Sequence, residues 1–297
     1  MTLSLSLIGY ASGIAANDEG CGEGPLLLQK DGLEKQLSIQ QPLAAYWQAM
    51  LVPRCGSKND RLQRVVELNT QLAALTFDLT QQNKRFTVFG GDHSCAIGTW
   101  SGVAAALAQQ NGELGLIWID AHMDSHTFET TLTGNIHGMP LAALLGVGDS
   151  SLTHIAMSCP KINPKRLVLI GIRSFEAEEE KLLSRLGVRI YNMEAIARHG
   201  FESVLSDAIA HVKENSLGFG VSLDLDGIDP VDAPGVGVPE ANGISGKELC
   251  QGLKQLRKAP QLIGVEVVEY NPYHDEGCKT KKLIQEILLS IFGVSTE

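Results

Sequence analysis

The chain has 297 residues, of which 44% are apolar, and its formal net charge is −10. That length is enough for a sizeable hydrophobic core, and the acidic balance argues against sequence-independent binding to nucleic acid or to anionic membranes, since both require basic patches. The six cysteines are scattered and contain no Cys-x-x-Cys pair, so a zinc knuckle and a disulfide framework are disfavoured and a reducing, cytoplasmic setting fits best.

The first predicted element is a strand over Leu3–Tyr10, where Leu alternates with Ser. The alternation is typical of a half-buried strand, and the segment lacks the basic region of a signal peptide. The Gly-rich loop Gly20–Pro25 follows, without the G-x-G-x-x-G spacing that a dinucleotide site has directly after a strand. Pro25 suits the first turn of a helix, which we predict over 26–33.

A long helix is predicted over 59–82. Apolar residues recur there at spacings of three and four, and Asn59 or Asp60 is the expected N-cap. Residues 45–58 show no clear period, so no element is predicted for them. No segment of the chain approaches the roughly 18 consecutive apolar residues of a transmembrane helix.

Strands and helices alternate through the rest of the chain. Further strands are predicted over 86–89, 114–119, 166–173, 188–191, 218–224 and 262–268, and helices over 95–109, from 141, from 174, and over 201–214, 245–257 and 280–292. This order predicts a mainly parallel sheet covered by helices on both faces, in one domain over 1–297. An open sheet and a closed barrel share the order, so periodicity does not decide between them.

Three metal-capable side chains fall in the five residues Asp120-Ala-His-Met-Asp124, directly after the predicted strand 114–119. Side chains two apart in an extended chain point to the same side, so Asp120, His122 and Asp124 can converge on one point. Alone, such a triplet is more often a solvated turn than a set of ligands. Its meaning depends on whether other strand ends supply matching groups.

Two further strand ends do supply them. His93 lies in Gly90-Gly-Asp-His-Ser94, just past a predicted strand, and Asp224 and Asp226 stand two apart at the end of another. Together with the two earlier Asp residues they bring four carboxylates to one pocket, where they would repel unless about two divalent cations balanced them. Oxygen ligands with two imidazoles suit Mn²⁺, although other metals could enter. Two such ions roughly 3.5–4 Å apart can lower the pKa of a shared water.

Six motifs together resemble the signature of the ureohydrolase family, in the order that the family has them. They are Gly20-Cys-Gly-Glu-Gly-Pro25, Gly90-Gly-Asp-His-Ser94, Asp120-Ala-His-Met-Asp124, Gly134-Asn-Ile-His-Gly138, Ser222-Leu-Asp-Leu-Asp-Gly-Ile-Asp-Pro230 and Val268-Glu-Tyr-Asn-Pro272. The loop around His137 is most similar to the bacterial arginase type. The resemblance implies a three-layer α/β/α fold with an open, mainly parallel sheet. It also implies two Mn²⁺ ions and hydrolysis of L-arginine to L-ornithine and urea, in which a metal-bridging hydroxide attacks the guanidinium carbon.

Carried over motif by motif, the resemblance also implies residue roles. One ion would bind His93, Asp120, Asp124 and Asp224, and the other Asp120, His122, Asp224 and Asp226, with Asp120 and Asp224 bridging. Glu269 would hold the planar guanidinium, which prefers a carboxylate partner. Asp124 would help to move a proton to the leaving amine, and His137 would act as a proton shuttle or as an acid toward that product.

The substrate's amino-acid end is expected to meet Thr133 and Asn135 from one loop and Glu176 and Glu179 from another. The two glutamates could equally serve the first turn of a helix, where acids favour the helix dipole. His126 stands where arginases often have Asn, and Glu176 where many have Asp, so agmatine, guanidinobutyrate and formiminoglutamate stay open as alternative substrates.

A catalytically silent member of the family is a further alternative, which the complete ligand set disfavours. A histone-deacetylase-like amidohydrolase is disfavoured because its paired His-His motif is absent. The expected partner is a small guanidino substrate, with no nucleic acid and no membrane. By resemblance, a homo-oligomer is expected, either a trimer or a hexamer.

Overall fold

The structure is a computed structural model that describes residues 3–40, 43–56, 60–158 and 160–293. Its eight strands are β1 (Leu3–Tyr10), β2 (Leu43–Leu51), β3 (Phe86–Gly90), β4 (Leu114–Ile119), β5 (Ile162–Ile172), β6 (Arg189–Asn192), β7 (Gly218–Asp224) and β8 (Leu262–Val268). They form one sheet in the order β2-β1-β3-β8-β7-β4-β5-β6, and every neighbouring pair is parallel. The sheet is open, with β2 and β6 at its edges, which settles the alternative that periodicity left undecided.

Helices connect successive strands, as parallel pairing requires. They are α1 (Glu23–Lys30), α2 (Leu33–Gln40), α3 (Arg61–Gln81), α4 (Cys95–Ala108), α5 (Pro140–Leu144), α6 (Ser150–Thr153), α7 (Ala177–Leu186), α8 (Met193–His199), α9 (Phe201–Lys213), α10 (Gly246–Leu253) and α11 (Lys279–Phe292). Among the described residues, none of these helices has the length and apolarity needed to cross a membrane.

Alternate residues of each central strand pack into two different cores. In β4, Ile117 and Ile119 join the cluster that contains α9, α10 and α11, whereas Leu116 and Trp118 join the cluster that contains α3 and α4. All four side chains are fully buried, and burial of each stabilises the fold by about 1.5–3 kcal/mol. The central strands are apolar at consecutive positions because helices cover both faces of the sheet. The three-layer α/β/α prediction is confirmed.

Two predictions near the N-terminus need correction. The residues left without an element contain the edge strand β2, which the sequence hides because Ala and aromatic residues fill both of its faces. The helix predicted over 26–33 corresponds to α1, which ends at Lys30, whereas α2 was not predicted. Gly32 separates the two helices in a left-handed conformation with φ of 71°. The predicted N-cap alternative Asn59 lies outside the described residues, and α3 begins directly after Asp60.

Later element bounds differ by a few residues. The helix predicted from Ser174 begins at Ala177, because Glu176 is extended and serves as the N-cap residue. Helix α8 was not predicted. Ser245 is the N-cap of α10, as its pattern indicates, and its hydroxyl accepts a hydrogen bond from the Glu248 amide at 3.2 Å.

The sheet order explains why the predicted ligands meet. Strands β3, β8, β7 and β4 are four consecutive neighbours, and because they are parallel their carboxyl ends lie at one edge. The residues after them carry His93, Glu269, the Asp224 pair and the Asp120 triplet, respectively. Such edges are where open α/β sheets place their sites.

Candidate metal centre and substrate pocket

His93 lies at the centre of the site. Its ring stacks on Trp118 with a centroid distance of 4.2 Å. Its Nδ1 atom faces carboxylate oxygens of Asp124, Asp224 and Asp120 at 2.9, 3.0 and 3.2 Å. Nδ1 is nevertheless buried without a hydrogen bond to any described residue. Three oxygens around one unpartnered imidazole nitrogen fit the donor shell of a divalent cation.

His122 forms a second centre beside the first. Its Nδ1 lies 3.1 Å from Asp226 Oδ2 and 3.5 Å from Asp120 Oδ1. Asp120 therefore turns Oδ2 toward His93 and Oδ1 toward His122. Donor atoms of His93, Asp120 and Asp224 lie within 4.8 Å of one another, and so do donor atoms of His122, Asp120 and Asp226. The geometry is that of two adjacent ligand sets that share one carboxylate.

Backbone and indole groups fix the shared carboxylate. Asp120 is fully buried, and its Oδ2 accepts from Trp118 Nε1 at 2.9 Å while Oδ1 accepts from the His122 amide at 2.6 Å. The Asp224 carboxylate is held similarly, because its Oδ1 accepts from the Asp226 amide at 2.8 Å. In both aspartates the side chain accepts from the backbone amide two residues further along, a local hydrogen bond that Asp commonly makes where a strand ends.

The ionisation of the cluster reflects its crowding. Burial and the like charge of Asp120 raise the pKa of Asp226 to about 6, although His122 opposes them. Burial lowers the pKa of His93, but its contacts with Asp120, Asp124 and Asp224 outweigh that effect and raise it well above the ordinary value. In the metal-free protein, protons on these groups supply the positive charge that a metal would supply. This is expected where several carboxylates lie close together in a buried site.

Glu269 and His137 form a pair beside the two centres. Glu269 Oε1 accepts from the His93 amide at 2.9 Å and lies 3.0 Å from His137 Nδ1. Burial lowers the pKa of His137, but the hydrogen bond to Glu269 and the charges of Glu269 and Asp124 outweigh burial and raise the pKa to about 9. His137 is therefore protonated at neutral pH and can deliver a proton.

Two of the acidic residues have strained backbones. Asp124 and Glu269 have φ values of 46° and 64°, a left-handed conformation that costs non-glycine residues about 1 kcal/mol or more. Strain of this kind concentrates at functional sites, where the surrounding structure enforces it. At Asp124 it turns the carboxylate back toward His93.

The predicted substrate-end residues line the same pocket, but two of them also serve the helix. The Glu176 amide donates to Glu179 Oε2 at 3.1 Å across the start of α7, while Glu179 Oε1 accepts from the Ser125 amide. His126 Nε2 lies 2.9 Å from Glu176 Oε2 and 3.4 Å from Glu179 Oε2. The two glutamates therefore cap the helix and also face the pocket, and their role toward a substrate stays a prediction.

The pocket encloses about 350 Å³ at the carboxyl edge of the sheet. Its lining includes all the predicted site residues except the buried Asp120, and five that the sequence reasoning missed: Ala16, Asn17, Asp18, Gly237 and Val238. The only sequence signal for them was their closeness to the Gly-rich loop Gly20–Pro25 or their place in the loop between β7 and α10. The loop before Asn17 is anchored to the site, since the Ala15 amide donates to the buried Asp92 at 3.0 Å.

Comparison with known proteins defines the class. Residues 3–293 match the model of the Arginase family, and the chain belongs to that family. It is similar to the arginase of Bacillus caldovelox, with 44% identity over 80% of this chain and 78% of that one. It is also similar to the arginase of Brevibacillus brevis, with 37% identity over 99% of both chains. The crystal structure of arginase from Bacillus subtilis superposes with a TM-score of 0.90 at 35% identity, covering 99% of this chain and 100% of that one.

Proposed function

We propose that this chain hydrolyses L-arginine to L-ornithine and urea, with two divalent metal ions of which Mn²⁺ fits the donor set best. The observation that carries the proposal is the pair of ligand sets around His93 and His122, with Asp120 between them. Its relatives named arginase and the complete motif set support the same reaction. The ligands would be those inferred from the sequence: His93, Asp120, Asp124 and Asp224 for one ion, and Asp120, His122, Asp224 and Asp226 for the other.

A bound pair of divalent ions supplies Lewis acidity and lowers the pKa of water to near neutrality. The chain's own contribution is geometric. Trp118 and the backbone hold the shared Asp120 so that its two oxygens point to different imidazoles. Such preorganised ligands avoid the cost of rearrangement during the reaction.

Glu269 would orient the guanidinium. Its carboxylate is buried and already fixed through Oε1 by the His93 amide and His137, which leaves Oε2 as an acceptor for a guanidinium N–H. A planar guanidinium held by a fixed carboxylate presents its carbon in one orientation, and such positioning lowers the barrier substantially.

Two residues would handle protons at the leaving amine. Asp124 would pass a proton to the leaving amine, because its carboxylate lines the pocket and its pKa is raised by burial and by the nearby charge of Asp120. His137 would donate a proton to the ornithine amine, since its raised pKa keeps it protonated at neutral pH.

The substrate's amino-acid end would meet a polar rim. Glu176 and Glu179 would bind the ammonium group, and the Thr133 hydroxyl, the Asn135 amide and His126 would face the carboxylate. All five line the pocket, and Arg61 Nη1 lies 3.5 Å from Asn135 Oδ1, which orients the amide so that its N–H₂ group is free to donate.

The decisive experiment measures urea release from metal-stripped protein after addition of Mn²⁺. L-arginine, agmatine and 4-guanidinobutyrate are compared side by side, and formamide release is followed for formiminoglutamate. We expect L-arginine to give the highest kcat/KM. Stoichiometric binding of two Mn²⁺ ions without urea release from any guanidino compound would contradict the proposed function.

Hydrolysis of a related substrate is the second candidate, and the bond between His126 and Glu176 favours it, because that bond occupies an ammonium acceptor. Glu176→Gln separates the two. If L-arginine is the substrate, this variant raises KM for L-arginine and leaves 4-guanidinobutyrate, which has no ammonium group, unaffected. Equal effects on both compounds would favour the alternative substrates.

We also propose that the chain is a single domain, because all eight strands share one sheet. A cytoplasmic location, a small-molecule partner rather than nucleic acid or membrane, and a homo-oligomeric trimer or hexamer complete the proposal. Sedimentation of the purified chain tests the oligomeric state directly.

A further inference from the structure

His93 is also held from the side away from the carboxylates. Its Nε2 atom lies 2.9 Å from the hydroxyl of Ser222 on β7, and that hydroxyl lies 2.7 Å from Oε1 of Glu266 on β8. Ser222 and Glu266 are direct cross-strand partners in the parallel register, and Ser222 is also the partner of Trp118. One row of the sheet therefore carries both the ring on which His93 stacks and the chain of polar groups that holds its Nε2.

Glu266 is a fully buried carboxylate on which hydrogen-bond donors converge. Its Oε1 accepts from Trp100 Nε1 at 3.1 Å in addition to Ser222, and its Oε2 accepts from the Cys95 thiol at 3.4 Å. A buried acid is costly unless donors compensate it. Because Ser222, Trp100 and Cys95 all donate, Glu266 is the acceptor in each of these three hydrogen bonds.

The directions of the two hydrogen bonds then follow. A serine hydroxyl has one proton, and Ser222 donates it to Glu266, so Ser222 must accept from Nε2–H of His93. In a neutral imidazole with its proton on Nε2, the lone pair is on Nδ1. Nδ1 is the atom that faces the carboxylates of Asp120, Asp124 and Asp224.

We propose that Ser222 and Glu266 are positioning residues, which form a relay that holds His93 in the Nε2–H tautomer and so presents Nδ1 as a ligand to the first metal ion. The relay rests on the proposed function only in requiring that the site binds divalent metal. It assigns a role to two buried polar residues that touch neither the pocket nor any reacting atom. Partners of this kind fix the tautomer and orientation of a ligand imidazole and tune its affinity.

The first test is metal affinity, measured by calorimetric titration of metal-stripped protein with Mn²⁺. Ser222→Ala removes the hydroxyl, and Glu266→Gln keeps the shape but replaces the carboxylate that accepts from Ser222 with a weaker, neutral amide acceptor, because its oxygen must stay where Trp100 and Ser222 both donate. We expect each variant to bind one of the two ions about 10–100-fold more weakly and the other with unchanged affinity. The matched control is Ser101→Ala, which removes a buried hydroxyl that has no hydrogen-bond partner among the described residues.

The second test reads the proton that the relay holds on His93 Nε2, which a merely structural role would not protect. The ring nitrogens of ¹⁵N-histidine-labelled protein are recorded by NMR with diamagnetic Zn²⁺ bound. The wild type should show His93 with a protected Nε2–H signal, and Ser222→Ala should lose that signal through exchange with water, with a smaller change in Glu266→Gln. If Ser222→Ala does not fold, the same two measurements on Glu266→Gln, which preserves the side-chain volume, test the relay.

Failure of the relay and failure of the proposed function give different results. Unchanged Mn²⁺ affinity and an unchanged His93 Nε2–H signal in both variants would overturn the relay, whatever the substrate. Wild-type protein that binds two Mn²⁺ ions but releases no urea would overturn the proposed function and leave the affinity and tautomer measurements intact.

Discussion

At the scale of single residues, the site is a balance between crowded carboxylates and a few positive groups. Asp124 illustrates the cost: burial and the charge of Asp120 raise its pKa, and its backbone is in the left-handed region. Glu269 has the same backbone strain. The native state of the metal-free protein therefore holds these groups against their intrinsic preferences, and substitutions that relieve the conflict should separate stability from function.

Asp124→Asn should stabilise the metal-free protein while impairing metal binding. Asparagine tolerates the left-handed backbone and removes one charge from the cluster, so we expect the unfolding midpoint without metal to rise by roughly 2–4 °C, equivalent to about 1 kcal/mol. Stabilisation by added Mn²⁺ should shrink. Thermal unfolding with and without Mn²⁺ measures both effects, with the exposed Asp78→Asn as control; a lower midpoint of the metal-free variant would refute the argument.

His137→Asn should lower kcat for L-arginine by about 10²-fold or more, the usual contribution of a general acid, with a smaller change in KM. The pKa of His137 is raised to about 9, so its acid form is present at neutral pH and lost as pH rises through about 9. We expect the wild-type kcat to fall over that range and the variant to lose this alkaline limb. A pH profile that keeps the limb in the variant would exclude His137 as the acid.

At the scale of elements, sequence patterns predicted the central strands well and the edges poorly. Strand β4 has no polar side chain and is followed at once by charged residues, so the sequence predicted both its burial and the residue at which it ends. Strand β2 could not be predicted, because an edge strand with Ala, Tyr and Trp on both faces has no polar alternation. The candidate metal ligands could be found because each lies at or just after the end of a strand. Asn17 and Val238 also line the pocket, but they lie in loops, where no hydrophobic period indicates their position.

Helix α4, which begins just after His93, packs closely on α3 at Gly102. A methyl group on Gly102 would lie 2.1 Å from Ala73 O and 2.2 Å from Thr76 Oγ1. Gly102→Ala should therefore destabilise the protein by about 1–3 kcal/mol, even though Ala is the better helix former by up to about 1 kcal/mol. Chemical denaturation measures the loss. Ala108→Ser in the exposed last turn is the control, and equal stability of the two variants would show that α4 can shift freely.

At the scale of the whole molecule, the metal centre links folding to pH. The folded-state pKa values of His93 and Asp226 are both raised, so the folded metal-free protein binds more protons than the unfolded chain. Its free energy of unfolding must then fall as pH rises, through about 6 for Asp226 and, for His93, above the unfolded value of 6.5. Four buried carboxylates from two neighbouring strands then keep fewer protons to compensate their charge, and bound metal ions would supply the missing positive charge.

Mn²⁺ should therefore stabilise the protein more at high pH than at low pH. Protons and metal compete for the same imidazoles and carboxylates, so apparent affinity rises as the protons leave, and each site occupied at 100 times its Kd adds about 2.7 kcal/mol. We expect the difference in unfolding midpoint between Mn²⁺-loaded and chelator-treated protein to widen from pH 6.5 to pH 8.5. In Asp124→Asn, which lacks one ligand, the widening should be smaller. A difference that stays constant or narrows over this range would mean that the protons on His93 and Asp226 are not the ones that metal displaces.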